Sequence, residues 1–145
     1  MADQDELSTH FETLGLPVEA RAWLLDLWNV IQVFDDAMDG DRAASADVSR
    51  AVWAIFASMP LNDFYCRNAG ILQPILALQV LKWEAANAVE RAGGACEVSF
   101  VWRAGFYEVV LMACHICGIK AGPECLVMYG ETYAEYMEDQ LCQVH

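Results

Sequence analysis

The residues with the most chemistry to offer stand together in Val33-Phe34-Asp35-Asp36-Ala37-Met38-Asp39-Gly40-Asp41, where four carboxylates fall within seven positions. Like charges this close repel, so the cluster must be well solvated, matched by a basic partner, or bridged by a cation. On a helix Asp36 and Asp39 share a face at i and i+3, and Asp35 reaches Asp39 at i+4. The cluster ends a helical pattern, where acids oppose the helix dipole at a cost of a few tenths to about 1 kcal/mol. That placement calls for compensation from elsewhere in the fold.

Carboxylates further along the chain are candidates to complete such a site. Glu131 and Glu135 share a helix face with either Glu138 or Asp139. Glu84, Asn87 and Glu90 follow Gln79 on another helical pattern, and Glu108 and His115 lie two turns apart on a third. Carboxylates projecting from several helices into a bundle are how di-iron proteins hold metal. No Glu-x-x-His pair is present, and Asp36-x-x-Asp39 stands about a hundred residues from Glu135-x-x-Glu138.

Asp35-Asp36-Ala37-Met38-Asp39 resembles the aspartate-rich motif with which class I isoprenoid synthases, themselves all-helical, hold Mg²⁺ and a diphosphate. The resemblance covers five residues. It implies Mg²⁺ bound by Asp35, Asp36 and Asp39, and the spacing of the remaining acids offers Glu135, Glu131 or Glu84 to complete the shell. Mg²⁺ takes one or two carboxylates together with water and phosphate oxygens, and would polarise a phosphoryl group. Arg103 or Lys82 would then have to steady the anion.

Cys114-His115-Ile116-Cys117 and Cys142-Gln143-Val144-His145 have the spacing of two zinc half-sites. Buried thiols in an apolar helix and a loose tail account for the same letters. No Gly-x-Ser-x-Gly setting accompanies His10, His115 or His145, and Gly93-Gly94 lacks the lysine and the length of a phosphate-binding loop.

The elements that must position these groups read as helices throughout. Asp5 to Leu14 is a short helix stopped by Gly15, and Pro17 opens a second that runs to Asp39 with Gly40 as terminator. A third is expected over Val48–Ser58, a fourth from Pro74 to Arg91, a fifth from Ser99 to Cys117 and a sixth from Pro123 to Leu141, with residues 60–70 as an irregular connection. No sustained alternation of period two marks a strand. The fold class expected is all-α, a compact bundle of five to six helices with short connections, forming a single domain over 1–145.

Projection of residues 19–39 puts Leu24, Leu27, Val30, Ile31, Val33, Phe34, Ala37 and Met38 on one side, and Asn29, Gln32, Asp35, Asp36 and Asp39 on the other. Trp28 interrupts the polar side, where it suits a partner-binding anchor. Core packing is the expectation for the five tryptophans and for the tyrosine stripe Tyr129, Tyr133 and Tyr136.

Charge is distributed unevenly. The chain of 145 residues carries a net −13, with ten acids against one base in residues 1–41 and five acids with no base in residues 123–145. Residues 64–122 carry four acids and five bases. Acidic ends on a neutral centre favour a basic protein surface as partner and disfavour direct nucleic-acid binding, which depends on Lys and Arg. The acidic start of the chain is unlike a secretory leader, Phe106–Ile119 is too short and too polar to span a membrane, and the six cysteines sit in apolar patterns. A cytoplasmic protein with reduced thiols is the expectation, and the apolar content of 57% suits a symmetric homodimer.

Two functional readings follow. One is an interaction protein of inhibitor or adaptor type, with no cofactor, whose negative flank meets a basic partner through Trp28, Asp35, Asp36, Asp39, Asp41, Glu131 and Glu135. The alternative is a Mg²⁺-dependent hydrolase or transferase acting on a phosphorylated compound, with Asp35, Asp36, Asp39 and Glu135 as metal ligands.

Overall fold

Two glycines in left-handed conformation, Gly15 (φ 84°) and Gly40 (φ 76°), bracket the helix that organises the molecule. The computed structural model describes residues 4–143, and its helices are α1 (Gln4–Leu14), α2 (Val18–Asp39), α3 (Ser45–Trp53), α4 (Asp63–Arg91), α5 (Glu97–Arg103), α6 (Phe106–Ile116) and α7 (Tyr133–Gln143). A π turn, Ala54–Ser58, continues α3, and a 3₁₀ turn spans Pro123–Leu126. The all-α class holds, and no strand occurs among the described residues.

Among the described residues seven helices replace the expected five or six, and the differences can be traced to particular residues. Residues 63–70, within the stretch expected to be irregular, are helical, because the Asn62 side chain accepts the Tyr65 N–H and starts α4 early. The price appears at Asn68 (φ −126°, ψ 16°), where α4 kinks ahead of Pro74, a residue with no N–H to offer the carbonyl four positions back. The helix expected over Ser99–Cys117 breaks at Ala104-Gly105 into α5 and α6. A Cβ at position 105 would stand 1.9 Å from Gln79 Oε1, so glycine lets this turn lie against α4. The helix expected over Pro123–Leu141 becomes the 3₁₀ turn, an extended stretch and then α7, with Gly130 (φ 120°) in the connection.

The core follows from the apolar spacings. Leu7 and Phe11, four apart on α1, are wholly buried against Ala20, Trp23 and Leu24 of α2 and Val109 and Ala113 of α6. Phe106 sits between Phe11 (6.3 Å between ring centres) and Trp28 (5.1 Å), and Trp23 stacks on Tyr65 at 5.7 Å. Each such fully buried side chain contributes about 1.5–3 kcal/mol through loss of water contact. A smaller cluster of Val30, Ala51 and Ala54 fixes α3 to α2. Core packing fails as a general account of the tryptophans, since Trp53 is 68% exposed.

Candidate functional site

The end of α2 is built to project acids. Gly40 N–H donates to the Ala37 carbonyl and Asp41 N–H to that of Asp36 at 2.8 Å, a Schellman closure that folds Asp41 back beside Asp36 and Asp39. Facing them is α7. The Thr132 hydroxyl caps its first turn by accepting the Glu135 N–H at 3.2 Å, which places Glu131 just before the helix and Glu135 and Asp139 one turn apart along it. The connection into α7 is fixed by Tyr107 of α6, whose hydroxyl accepts the Tyr129 N–H at 2.7 Å and donates to the Tyr129 carbonyl. Burial pushes the Tyr107 pKa up to about 12, so this clamp remains protonated.

Between α2, α5, α6 and α7 lies a cleft of about 410 Å³. Asp35, Asp36, Asp39, Asp41, Glu131, Glu135 and Asp139 all line it, with Trp28 and Phe106 beneath and Arg103 as the one cation among its lining residues. The structure thus brings together every carboxylate proposed for partner binding, from segments about a hundred residues apart. Trp28 is 9% exposed and packed on Phe106, part of the cleft wall rather than a free surface anchor.

Asp35 differs from its neighbours. It is half-buried in a network in which Trp83 Nε1 donates to Asp35 Oδ1 at 2.6 Å and Arg103 Nη2 to the same oxygen at 3.2 Å. Arg103 Nη1 in turn donates to Glu90 Oε2 at 2.5 Å and to Asn87 Oδ1 at 3.0 Å. Tyr136, 2% exposed, donates to Glu90 Oε1 at 2.8 Å and stands 2.7 Å from the Ser99 hydroxyl. Burial would pull the Arg103 pKa down, but Asp35 and Glu90 more than reverse this. Burial raises that of Asp35, with the Trp83 N–H and Arg103 opposing. The network ties α2, α4, α5 and α7 together and consumes the cation of the cleft.

The other acids of the cleft have no such partner. Among the described residues none of Asp36, Asp39, Asp41, Glu131, Glu135 or Asp139 is in an ion pair. Burial raises the Asp39 pKa, Arg103 opposes, and Asp35 and Asp41 add to the rise. Glu131 is pushed up to about 7, first by burial and then by its hydrogen bond with the Asp139 carboxyl.

The remaining candidates are scattered. Among the described residues no three His, Cys, Asp or Glu side chains gather as a metal-holding group, and Asp35, an expected Mg²⁺ ligand, is committed to Trp83 and Arg103. Lys82 and Gln79 bond to Glu108 instead of facing the cleft. Cys114 is buried, its pKa raised to about 11 chiefly by that burial, Cys117 is half-buried and Cys142 exposed, while His145 lies outside the described residues. All six cysteines are free.

Next to the acidic cleft, a second cavity of about 480 Å³ opens between α2, α4 and the turn from α5 to α6. Its walls are apolar, including Leu27, Val30, Phe34, Leu76 and Trp102, and it shares Ile31, Arg103 and Phe106 with the cleft. Sequence patterning missed this cavity, although Phe34, on the apolar side of α2 yet 49% exposed, forms part of its wall.

No family model, curated protein or solved structure matches this chain.

Proposed function

We propose that the chain is a small binding protein, of inhibitor or adaptor type, that takes a Lys- and Arg-bearing segment of another protein into the acidic cleft. The observation that carries this reading is the convergence of the acids at the end of α2 and those of the α7 segment on one cleft whose only lining cation, Arg103, is already held by Asp35 and Glu90. A concave site lined by one sign of charge focuses its field, which speeds encounter with a basic segment and repels phosphates. The adjoining apolar cavity suits an anchor side chain of the same segment, since buried apolar anchors supply most of the affinity at interfaces. Six free thiols agree with a cytoplasmic site of action. Among the described residues no helix is long and apolar enough to cross a membrane.

The Mg²⁺ reading has less support, because a diphosphate would need a free cation beside the acids and Arg103 is taken. Titration of a fluorescent Arg-rich peptide by anisotropy, with Mg²⁺ run in parallel, separates the two. The binding reading expects saturable 1:1 association with a roughly micromolar Kd, weakening about tenfold from about 50 to 200 mM salt. Peptide binding that is absent or indifferent to salt, alongside saturable Mg²⁺ uptake, would overturn it.

A further inference from the structure

Beside the cysteines of α6 stands a further thiol that their zinc-like spacing does not name. Cys114 lies on the inner face of α6, buried in the core, and Cys117 follows the last residue of that helix. Gly118 (φ 77°) then turns the chain back, with the Ile119 N–H donating to the Cys114 carbonyl at 2.9 Å. The reversal lays the 3₁₀ turn Pro123–Leu126 against α6. Pro123 opens that turn, and the Cys125 N–H closes it by donating to the Gly122 carbonyl at 3.0 Å. Its thiol comes within hydrogen-bonding reach of the Cys114 thiol. Cys125 is half-buried between exposed Glu124 and Leu126, so one sulfur of the pair meets solvent and the other is enclosed. Both thiols are free, and among the described residues no third ligating side chain joins them as a metal-holding group.

We propose that Cys114 and Cys125 are a redox modification site, which a peroxide oxidises to a disulfide joining α6 to the 3₁₀ turn. Cys125 is the thiol an oxidant in solution can reach. Its sulfur attacks one peroxide oxygen, the O–O bond breaks, the departing hydroxide leaves as water with the Cys125 proton, and Cys125 becomes a sulfenic acid. The Cys114 sulfur then attacks that of Cys125. The S–O bond breaks, hydroxide departs with the Cys114 proton as a second water, and the S–S bond forms. Two thiols thus give up two electrons and two protons, and one peroxide is reduced to two waters. Enclosure suits Cys114 to the second role, because a buried thiol is protonated and inert until an oxidised sulfur is formed against it. The bond would anchor the start of the segment that runs from the 3₁₀ turn through Tyr129, clamped by Tyr107, to Glu131 at the cleft. A thiol reductant reverses it.

Mass spectrometry of the full chain tests this after reduction, exposure to about one molar equivalent of hydrogen peroxide, and blocking of the remaining thiols with N-ethylmaleimide. The expected product is a bridged Cys114–Cys125 peptide, two hydrogens lighter than the unbridged pair, with the six free thiols falling to four and returning on treatment with dithiothreitol. A Cys114→Ala variant is expected to stop at the first step, so that dimedone, which traps sulfenic acids, labels Cys125 about tenfold more than in the wild type. Cys125→Ser, at the half-buried position, provides a second variant in which Cys114 is expected to remain a free thiol under the same treatment. Survival of all six thiols in the wild type would overturn the proposal. So would a bridge from Cys114 to Cys117, a bridge between two chains, or loss of the Cys114 thiol in Cys125→Ser.

Discussion

Asp35 and Glu131 line the same cleft, and their surroundings give them opposite tasks. Asp35 accepts from Trp83 and Arg103 and is built into the fold, so its charge is neutralised within the protein. Glu131 has another carboxyl, that of Asp139, for its neighbour, and its pKa rises to about 7. The first arrangement spends an acid on joining helices. The second keeps acids close together without a counter-charge, at a cost in stability that a ligand can relieve. An acidic cluster read from sequence therefore has to be divided before any function is assigned to it, and the division follows the partner of each carboxylate.

The largest effect expected from breaking this contrast is at its structural side. Arg103→Ala leaves Asp35 and Glu90 enclosed without their cation, and loss of one member of such a buried pair costs about 3–5 kcal/mol. Chemical denaturation would show it as a fall in midpoint with a similar slope. Tyr136→Phe removes a hydrogen bond to Glu90 and the contact with Ser99, for an expected loss of about 1–2 kcal/mol in the same assay. On the opposite side, Asp36→Asn with Glu135→Gln should leave the denaturation midpoint unchanged or slightly higher, since mutually repelling acids are removed.

The smallest effect is on pH dependence. The folded pKa of Glu131, about 7, lies above its ordinary value of 4.5, so the folded chain binds this proton more tightly than the unfolded one. Its contribution to stability is complete below the unfolded value and is lost as pH rises through about 7. Glu131→Gln should accordingly match the wild type in acid and exceed it in melting temperature at about pH 8. A basic ligand requires the ionised form, so peptide affinity should rise through neutrality with release of a proton, visible as a buffer-dependent heat in calorimetry.

Much of this was legible in the residues. The apolar and polar sides of α2 and the glycine that ends it follow from helical spacing and from local turn chemistry, whereas the helix face expected to join Glu131 to Glu135 does not form, because α7 begins only at Tyr133. The pairings that divide the acids did not follow, because Arg103 meets Asp35 across 68 positions and Trp83 meets it across 48. Local pattern carries no information at that range. The break at Gly105 was hidden for a related reason: the apolar periodicity runs straight through it, and the close approach of the Gln79 side chain from α4, which leaves no room for a Cβ there, is a tertiary contact. Residues 60–70 hid a helix because its start depends on a single side-chain cap, Asn62.

The most direct test of the account removes equal charge from two places. Anisotropy titration of an Arg-rich peptide would compare the cleft variant Asp36→Asn, Glu135→Gln with a control variant Glu6→Gln, Glu84→Gln, whose exposed acids lie outside the cleft lining. The account predicts a loss of roughly tenfold or more for the cleft variant and less than about twofold for the control. Equal losses in the two would show that the peptide senses only overall charge, and would contradict the assignment of the cleft as the binding site.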